Sequence, residues 1–276
     1  STGYFADVAF SEEELEELRM AAWMHDIGKI TTPEWIVDKP TKLTTIFDRV
    51  ELLRLRFALA RKELELQVAR GVLNVDDGQR LMQEIDEDFD FIACANMPGE
   101  FMDDEDLMRL KKIAAKTFVQ NGERQSYITD EELENLSIRK GSLTGVERQK
   151  INDHAAMSIK MLEQIPFTRK LKQVPTIAGA HHEKLDGTGY PQGLRGDQIS
   201  LQARILALVD IFESLTADDR PYRSKPLSRE SVLRILQDMV DSNHIDREVH
   251  EMFKCKDLFV KLNEIKAEMA HERTEH

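Results

Sequence analysis

An all-α fold is predicted by three features of the sequence. Apolar residues recur at three and four positions through most of the chain, and Glu, Lys, Leu, Ala, Arg and Met fill the windows between them. Two capping boxes, Ser11 with Glu14 and Thr144 with Glu147, each stand before an apolar stripe. The first opens a helix whose stripe runs Leu15, Leu18, Ala22 and His25 and stops at Gly28. A loop through Pro33 and Pro40 follows. A long helix from about Thr44 to Arg70 comes next, its apolar face made by Phe47, Val50, Leu53, Phe57 and Leu64. The stretch to Gly141 is dense in charge, with acidic clusters at Asp86 to Asp90 and Asp103 to Asp106, and reads as two or three more helices. The second capping box opens a helix through His154 to Leu162, ended by Pro166, and another helix spans Val174 to Glu183. A turn-rich run from Asp186 to Gly193 precedes a nearly all-apolar helix, Ala203 to Ala217, and helices from Ser228 to Asp241 and from Arg247 onward complete the chain. No internal repeat or low-complexity tract interrupts this order.

The 276 residues, 41% hydrophobic, suffice for one large domain or two smaller ones. Acidic residues outnumber basic ones, 51 to 38, giving a net charge of −13. A broad electrostatic grip on DNA, RNA or an anionic membrane is therefore not expected. No apolar run is long enough to span a bilayer, no secretory leader pattern opens the chain, and Cys94 and Cys255 stand in no metal or disulfide spacing. A cytoplasmic protein is expected, and the missing initiator methionine suggests a piece of a longer one.

Four of the eight histidines, His25, His154, His181 and His182, fall where helical apolar faces are expected. Neutral imidazole is a good ligand for first-row metals when its other ring nitrogen is held by an acceptor. An isolated His25-Asp26 pair has an ordinary structural reading, and so does His154 taken alone. Adjacent histidines at the mouth of a glycine-rich turn are harder to explain by packing, and Asp210 lies inside an apolar helix where a carboxylate must be paired, protonated or bound to a cation. Together these six residues make a four-imidazole, two-carboxylate set able to hold two transition-metal ions, with one carboxylate bridging. Two such ions are a known device for cleaving phosphoesters. Lys29, three positions after Asp26, would add positive charge to the same phosphate.

Three strings carry a resemblance. His25-Asp26-Ile27-Gly28-Lys29, His181-His182-Glu183 with Asp186-Gly187-Thr188-Gly189-Tyr190-Pro191, and Ala203 to Phe212 with Asp210 together resemble the HD-GYP branch of the HD metal-dependent phosphohydrolases. The resemblance covers roughly residues 11 to 43 and 144 to 240. It implies an HD-type helical bundle holding two or three metals, iron or manganese, that hydrolyses bacterial cyclic dinucleotides, chiefly cyclic di-GMP, to linear pGpG or GMP. It assigns His25, Asp26, His154, His181, His182 and Asp210 to the metals, with Asp26 and Lys29 catalytic. Lys29, Arg220 and Arg223 would hold the phosphates. Asp186, Gly187, Gly189, Tyr190 and Pro191 would form a lip offering an aromatic face and backbone amides to a guanine base.

The chain departs from that pattern twice. The family carries a further metal-binding histidine on an upstream helix, and none of the 24 residues before His25 is histidine. A missing first helix and a sensory region upstream are expected. Secondly, 129 residues separate His25 from His154, where the family has about a quarter of that. The similar tripeptides Lys42-Leu43-Thr44 and Ser142-Leu143-Thr144 suggest a helical insertion over 44–143 between two parts of one catalytic domain, 1–43 and 144–276. The insertion, or the upstream region, would serve a homodimer contact. Two other functions stay open: a phosphodiesterase for mixed cyclic GMP-AMP, and a dinucleotide-binding signalling module without turnover.

Overall fold

The computed structural model describes residues 5, 8–99, 101–120, 122–217, 227–255, 260–261 and 264–265. Among them are eleven α-helices and one two-stranded sheet, so the chain is all-α apart from a single hairpin. The helices begin where side chains satisfy their first amides. Ser11 and Glu14 cap each other's backbone to start α1 (Glu12–Met24). The pair Thr144 and Glu147 does the same for α7 (Gly145–Leu162). Between and after these lie α2 (Glu34–Val37), α3 (Val50–Ala69), α4 (Val75–Asn96), α5 (Asp104–Ala114) and α6 (Asp130–Leu136), then α8 (Val174–Gly179), α9 (Leu201–Thr216), α10 (Arg229–Asp241) and α11 (Arg247–Cys255). No helix of the described residues is long and apolar enough to cross a membrane.

The described residues divide into two compact units, which the chain passes between after Thr32 and, within α7, after Ile151. One comprises 33–151. Its core is built by Leu53 and Phe57 of α3, Ile85 and Ile92 of α4, Leu110 and Ile113 of α5, and Leu136 of α6. The helix predicted from Thr44 begins only at Val50. Asp48 accounts for the delay: its carboxylate accepts from the Thr41 hydroxyl at 2.7 Å, from the Asn96 amide group and from the Val50 N–H at 3.0 Å. A short polar side chain so placed offers the backbone an alternative to the helix. Phe47, expected on the apolar face, is therefore left outside α3 and half exposed. The hairpin was not expected either: β1 (Thr117–Gln120) pairs with β2 (Glu123–Ser126) across Gly122, whose φ of +84° is the left-handed region that glycine occupies without strain.

Two lysines of this unit are buried. Lys39 donates to both carboxylate oxygens of Glu147, at 2.8 and 2.9 Å, and to Asn135 at 3.1 Å, so all three ammonium hydrogens have acceptors. Burial works against the Glu147 anion, but Lys39 and the Thr144 amide hold its carboxyl below the usual range. Lys42 is as deeply buried, and its ammonium has one acceptor among the described residues, the Leu136 carbonyl at 3.2 Å.

The other unit takes residues up to 32 and from 152 onward. It holds two apolar clusters, one around Ala21, Leu162, Ile177 and Leu206, the other around Phe212, Leu236, Val249 and Phe253. Helix α9 contributes to both, Leu206 to the first and Leu208 and Phe212 to the second. It is not buried all round, since Val209 is 38% exposed and the Asp210 side chain 22%. In the second cluster His250 is completely buried, and neither ring nitrogen has a hydrogen-bond partner among the described residues.

Burial and the nearby Lys254 push the His250 pKa down. The unfolded chain therefore takes up a proton near the ordinary histidine value while the folded chain does not. The His250 contribution is fully present above about pH 6.5 and is lost as pH falls below it. His250→Leu is expected to remove this acid sensitivity and to raise stability at pH 5.5 by about 1–3 kcal/mol. Urea unfolding at pH 7.5 and 5.5 measures both effects, and an unchanged pH slope in the variant would count against the argument.

Candidate metal centre

Helix α1 ends at His25, and Asp26, with φ −97° and ψ 6°, starts a 3-10 turn over Ile27–Thr31. This change of helical pitch lets neighbouring side chains face one point. Gly28 acts by contact rather than by special dihedrals. A β-carbon there would lie 2.1 Å from the His154 carbonyl oxygen and 2.6 Å from the Ser158 amide, so glycine is what lets the His25-Asp26 turn lie against α7. Ser158, fully buried one helical turn beyond His154, accepts from the Gly28 N–H at 2.9 Å and donates to the His25 carbonyl at 2.7 Å.

The second pair of histidines does not continue α8. That helix stops at Gly179, short of the predicted Glu183, and His181 and His182 stand in the turns beyond it. Glu183 explains why. Its buried carboxylate accepts from the backbone amides of Gln192 (2.6 Å), Gly193 (3.1 Å) and Leu194 (2.9 Å), folding the glycine-rich loop back onto the histidines. Gly189 permits the fold, because a β-carbon there would meet the Lys184 amide nitrogen at 2.4 Å.

Six side chains converge. Asp26 Oδ1 lies 3.2 Å from His154 Nε2 and 3.9 Å from His181 Nε2, while Asp26 Oδ2 lies 3.3 Å from His25 Nε2. Asp210 Oδ1 is 3.5 Å from His25 Nε2. The His182 ring centroid is 4.0 Å from that of His181 and 5.0 Å from that of His154. Potential ligand atoms form two overlapping groups, His25, Asp26 and His181, and His154, His181 and His182, the atoms of each within 4.8 Å of one another.

Whether these residues suit a metal is answered by the outer nitrogens. His25 Nδ1 is 2.7 Å from the Ala22 carbonyl, and His181 Nδ1 is 2.5 Å from the Ala178 carbonyl. With Nδ1–H donating there, each ring turns the lone pair of Nε2 into the cluster, the arrangement that orients metal-binding imidazoles. His25 Nε2, His181 Nε2 and Asp26 Oδ1 are buried with no hydrogen-bond partner among the described residues. Buried acceptors aimed at one another are costly unless a cation lies between them. The donor set, imidazole nitrogen with carboxylate oxygen, suits a first-row transition ion. The residues fit the group.

Charge is arranged unevenly. Burial opposes the charged form of His25, but the Asp210 and Asp26 carboxylates outweigh it and raise this imidazole to about 10, so a metal ion would have to displace a proton from Nε2 to gain its lone pair. Burial also opposes the Asp26 anion, yet His154, His25 and Lys29 hold its carboxyl far below the usual range. Asp210 is lowered as well, with burial again opposed by His25 and the other imidazoles. His181 is pushed down to about 4, mainly by burial, and His182 to about 3 by burial and then by His181. Both stay neutral at pH 7, the form that ligates.

The remaining expected residues are placed differently. Lys29 donates to Asp26 Oδ2 at 2.5 Å, with its side chain 40% exposed, so a cation stands at the edge of the cluster. The Tyr190 ring lies 4.8 Å from His182, centroid to centroid, and is joined to Pro191 by a cis peptide bond. Asp186 faces the loop itself. Its Oδ1 accepts from the Thr188 amide and hydroxyl, both at 2.8 Å, and its Oδ2 lies 3.5 Å from His244 Nε2. Gly187 adopts φ +79°. Of the amides of this loop, the N–H groups of Gly187, Thr188, Tyr190, Gln192, Gly193 and Leu194 are bonded within the protein, and that of Gly189 is not among them. Arg220 and Arg223 lie outside the described residues.

Sequence reasoning missed Ser158 and Glu183. Each had a signal: Ser158 shares a helical face with His154 at a spacing of four, and Glu183 directly follows the paired histidines. Glu183→Gln is expected to weaken the three amide contacts, making Lys184 and Arg195 trypsin sites at least tenfold faster to cut while leaving metal content near the parent's. Equal cleavage rates would show that the loop is held by something else.

Two family models, both described as HD domain, match the chain, one over residues 2–91 and the other over 123–249. The chain is 48% identical over 85 residues to the 3'3'-cGAMP-specific phosphodiesterase 3 of Vibrio cholerae, covering 30% of this chain and 17% of that protein. It is 36% identical over 90 residues to the cyclic di-GMP phosphodiesterase response regulator RpfG of Xanthomonas campestris pv. campestris, 33% and 23% of the two chains. Similarity to a cyclic di-GMP phosphodiesterase of Thermotoga maritima is 32% over 93 residues, 33% of this chain and 25% of the other. The matched stretches thus span a quarter or less of each of these relatives.

Proposed function

The chain belongs to the HD domain family, and from that premise we propose that it is a metal-dependent phosphodiesterase acting on bacterial cyclic dinucleotides, cyclic di-GMP first among them. The observation that carries the reading is the pair of imidazoles, His25 and His181, whose outer nitrogens are spent on backbone carbonyls and whose inner nitrogens face two carboxylates without a partner. His25, Asp26, His154, His181, His182 and Asp210 would hold two divalent transition ions, iron or manganese. When bound, such ions supply Lewis acidity to a phosphoryl group and lower the pKa of water.

The rest is the protein's own work. Asp26, lying within reach of three imidazoles, would supply the anionic ligand beside them. Lys29, fixed by Asp26 at the exposed edge of the cluster, offers its ammonium to a non-bridging phosphate oxygen and offsets charge that grows during displacement. Tyr190, backed by His182, gives a nucleobase a flat face. Glu183 and Asp186 keep the loop in one shape, so that face is preorganised before substrate arrives.

The mixed cyclic GMP-AMP is the second substrate this reading admits, supported by the relative that shares 48% of the aligned positions. Turnover of cyclic di-GMP and 3'3'-cGAMP by protein loaded with iron or manganese, followed by separation of linear dinucleotide and mononucleotide, tests the proposal. Hydrolysis of cyclic di-GMP that a chelator abolishes and metal restores is the expected result. Tight binding of either dinucleotide without turnover by metal-loaded protein would replace it with the signalling-module reading.

A further inference from the structure

The unit of residues 33–151 contains a half-open cavity of about 450 Å³, lined by Lys42, Phe91, Met97, Phe101 and Asp106 among others. That volume is within the range of small-molecule sites, and the lining is of the usual kind, mostly apolar with a few polar groups. The two buried lysines of this unit make the cavity informative. Lys39 satisfies all three of its ammonium hydrogens with side-chain acceptors, whereas Lys42, 1% exposed, has the Leu136 carbonyl as its one hydrogen-bond acceptor among the described residues. Burial lowers Lys42 to about 8, against the attraction of Asp106. A buried ammonium short of two acceptors, in the wall of a cavity, is a group awaiting an acceptor.

The other walls say what kind of molecule would bring one. Phe101 is 62% exposed and Met97 57%, so flat and polarizable surface stands at the mouth, with the Arg139 guanidinium 6.0 Å from the Phe101 ring centroid. On Phe91 the Arg109 guanidinium sits 4.4 Å from the ring centroid. Arg109 is not itself in the lining; it donates to the Glu87 carbonyl at 3.3 Å and has no carboxylate partner among the described residues, which leaves an exposed cation, stacked on a residue of the wall, for an anion. A planar base between aromatic walls, with an anionic tail at the rim, answers all of these features. The polar pair narrows the base. Guanine carries one carbonyl acceptor beside two N–H donors, matching an ammonium with a neighbouring carboxylate that can accept two hydrogens. Adenine offers that carboxylate a single donor beside a ring nitrogen.

We propose that this cavity is a binding site for a guanine mononucleotide, with the base against Phe101 and between Lys42 and Asp106, and the phosphate at Arg109. The site lies entirely within one unit and does not depend on the metal cluster. Were the cluster to hydrolyse cyclic di-GMP, the ligand would be of the class that reaction ultimately releases.

Equilibrium dialysis of the full chain against labelled GMP tests this without any turnover. Saturable binding of one GMP per chain is expected, with AMP at least tenfold weaker. Phe101→Ala and Arg109→Gln alter exposed side chains and should each weaken GMP at least tenfold; Lys42→Met, checked for folding by circular dichroism, should do so too. Asp26→Ala should leave GMP binding unchanged. Absence of saturable binding, AMP binding as tightly as GMP, indifference to Phe101→Ala, or loss of GMP binding with Asp26→Ala would each overturn the proposal. Failure of this binding leaves the phosphodiesterase reading where it stood, and failure of hydrolysis leaves this one.

Discussion

Asp26→Ala is expected to remove metal and hydrolytic activity together while leaving the helical content of the chain essentially unchanged. Its two oxygens face His25, His154 and His181 at 3.2 to 3.9 Å and also anchor Lys29, so its loss deprives three imidazoles and a lysine of their anion. Losing an oriented group around a metal ligand costs ten- to hundredfold in affinity, and losing the ligand itself is expected to cost more than about a hundredfold. Elemental analysis after gel filtration measures metal per chain, and far-ultraviolet circular dichroism reports the fold. Asp26→Asn separates shape from charge: it keeps an oxygen in place but gives up the anion, and should retain folding and lose metal nearly as completely. A variant that keeps the parent's metal content would overturn the assignment of the cluster.

Gly28→Ala is expected to be as damaging by a different route. The added methyl would stand 2.1 Å from the His154 carbonyl and 2.6 Å from the Ser158 amide, and both are backbone atoms of a packed helix that cannot swing aside. Separating α7 from the His25-Asp26 turn also breaks the 2.9 Å bond from Gly28 N–H to Ser158. Overpacking of this kind costs on the order of 3 kcal/mol. It would also draw His154 away from Asp26, so metal affinity should fall even below the melting temperature. Ser158→Ala is the graded comparison: it deletes two hydrogen bonds without a clash and should cost about 1–3 kcal/mol. Thermal unfolding of the two variants side by side decides the matter, and a Gly28→Ala protein as stable as its parent would refute the contact argument.

The features legible in the sequence are those written in short spacings. The capping boxes at Ser11 and Thr144 mark their helices because both partners lie within three residues. The convergence of His25, Asp26, His154, His181, His182 and Asp210 was legible because imidazoles and a lone carboxylate stand out against apolar faces. What escaped the reading depends on tertiary partners. Ser158 matters through backbone atoms of His25 and Gly28, and Glu183 through three amides of a loop. Their positions, four after His154 and directly after the paired histidines, mark them as near the site but do not say which backbone atoms they bind. Asp48 shortened a helix by capturing Thr41 and Asn96, the second nearly fifty residues away. The hairpin at 117–126 was obscured because its second strand, Glu123–Ser126, is fully exposed and carries no apolar alternation.

The hydrogen bonds of Ser158 to His25 and Gly28 join residues 133 and 130 positions apart. Closing so wide a loop would seem a burden on the cluster it completes. Chain statistics say otherwise, because loop-closure entropy grows only with the logarithm of length. Lengthening the span between His25 and His154 about fourfold adds roughly 1.2 kcal/mol for a structureless loop. Residues 33–151 are not structureless, since they fold around a core of their own. A unit of more than a hundred residues can thus be carried between two neighbouring side chains of one cluster at almost no thermodynamic cost, and lineages of this fold can gain or lose such a unit without first having to restabilise the cluster.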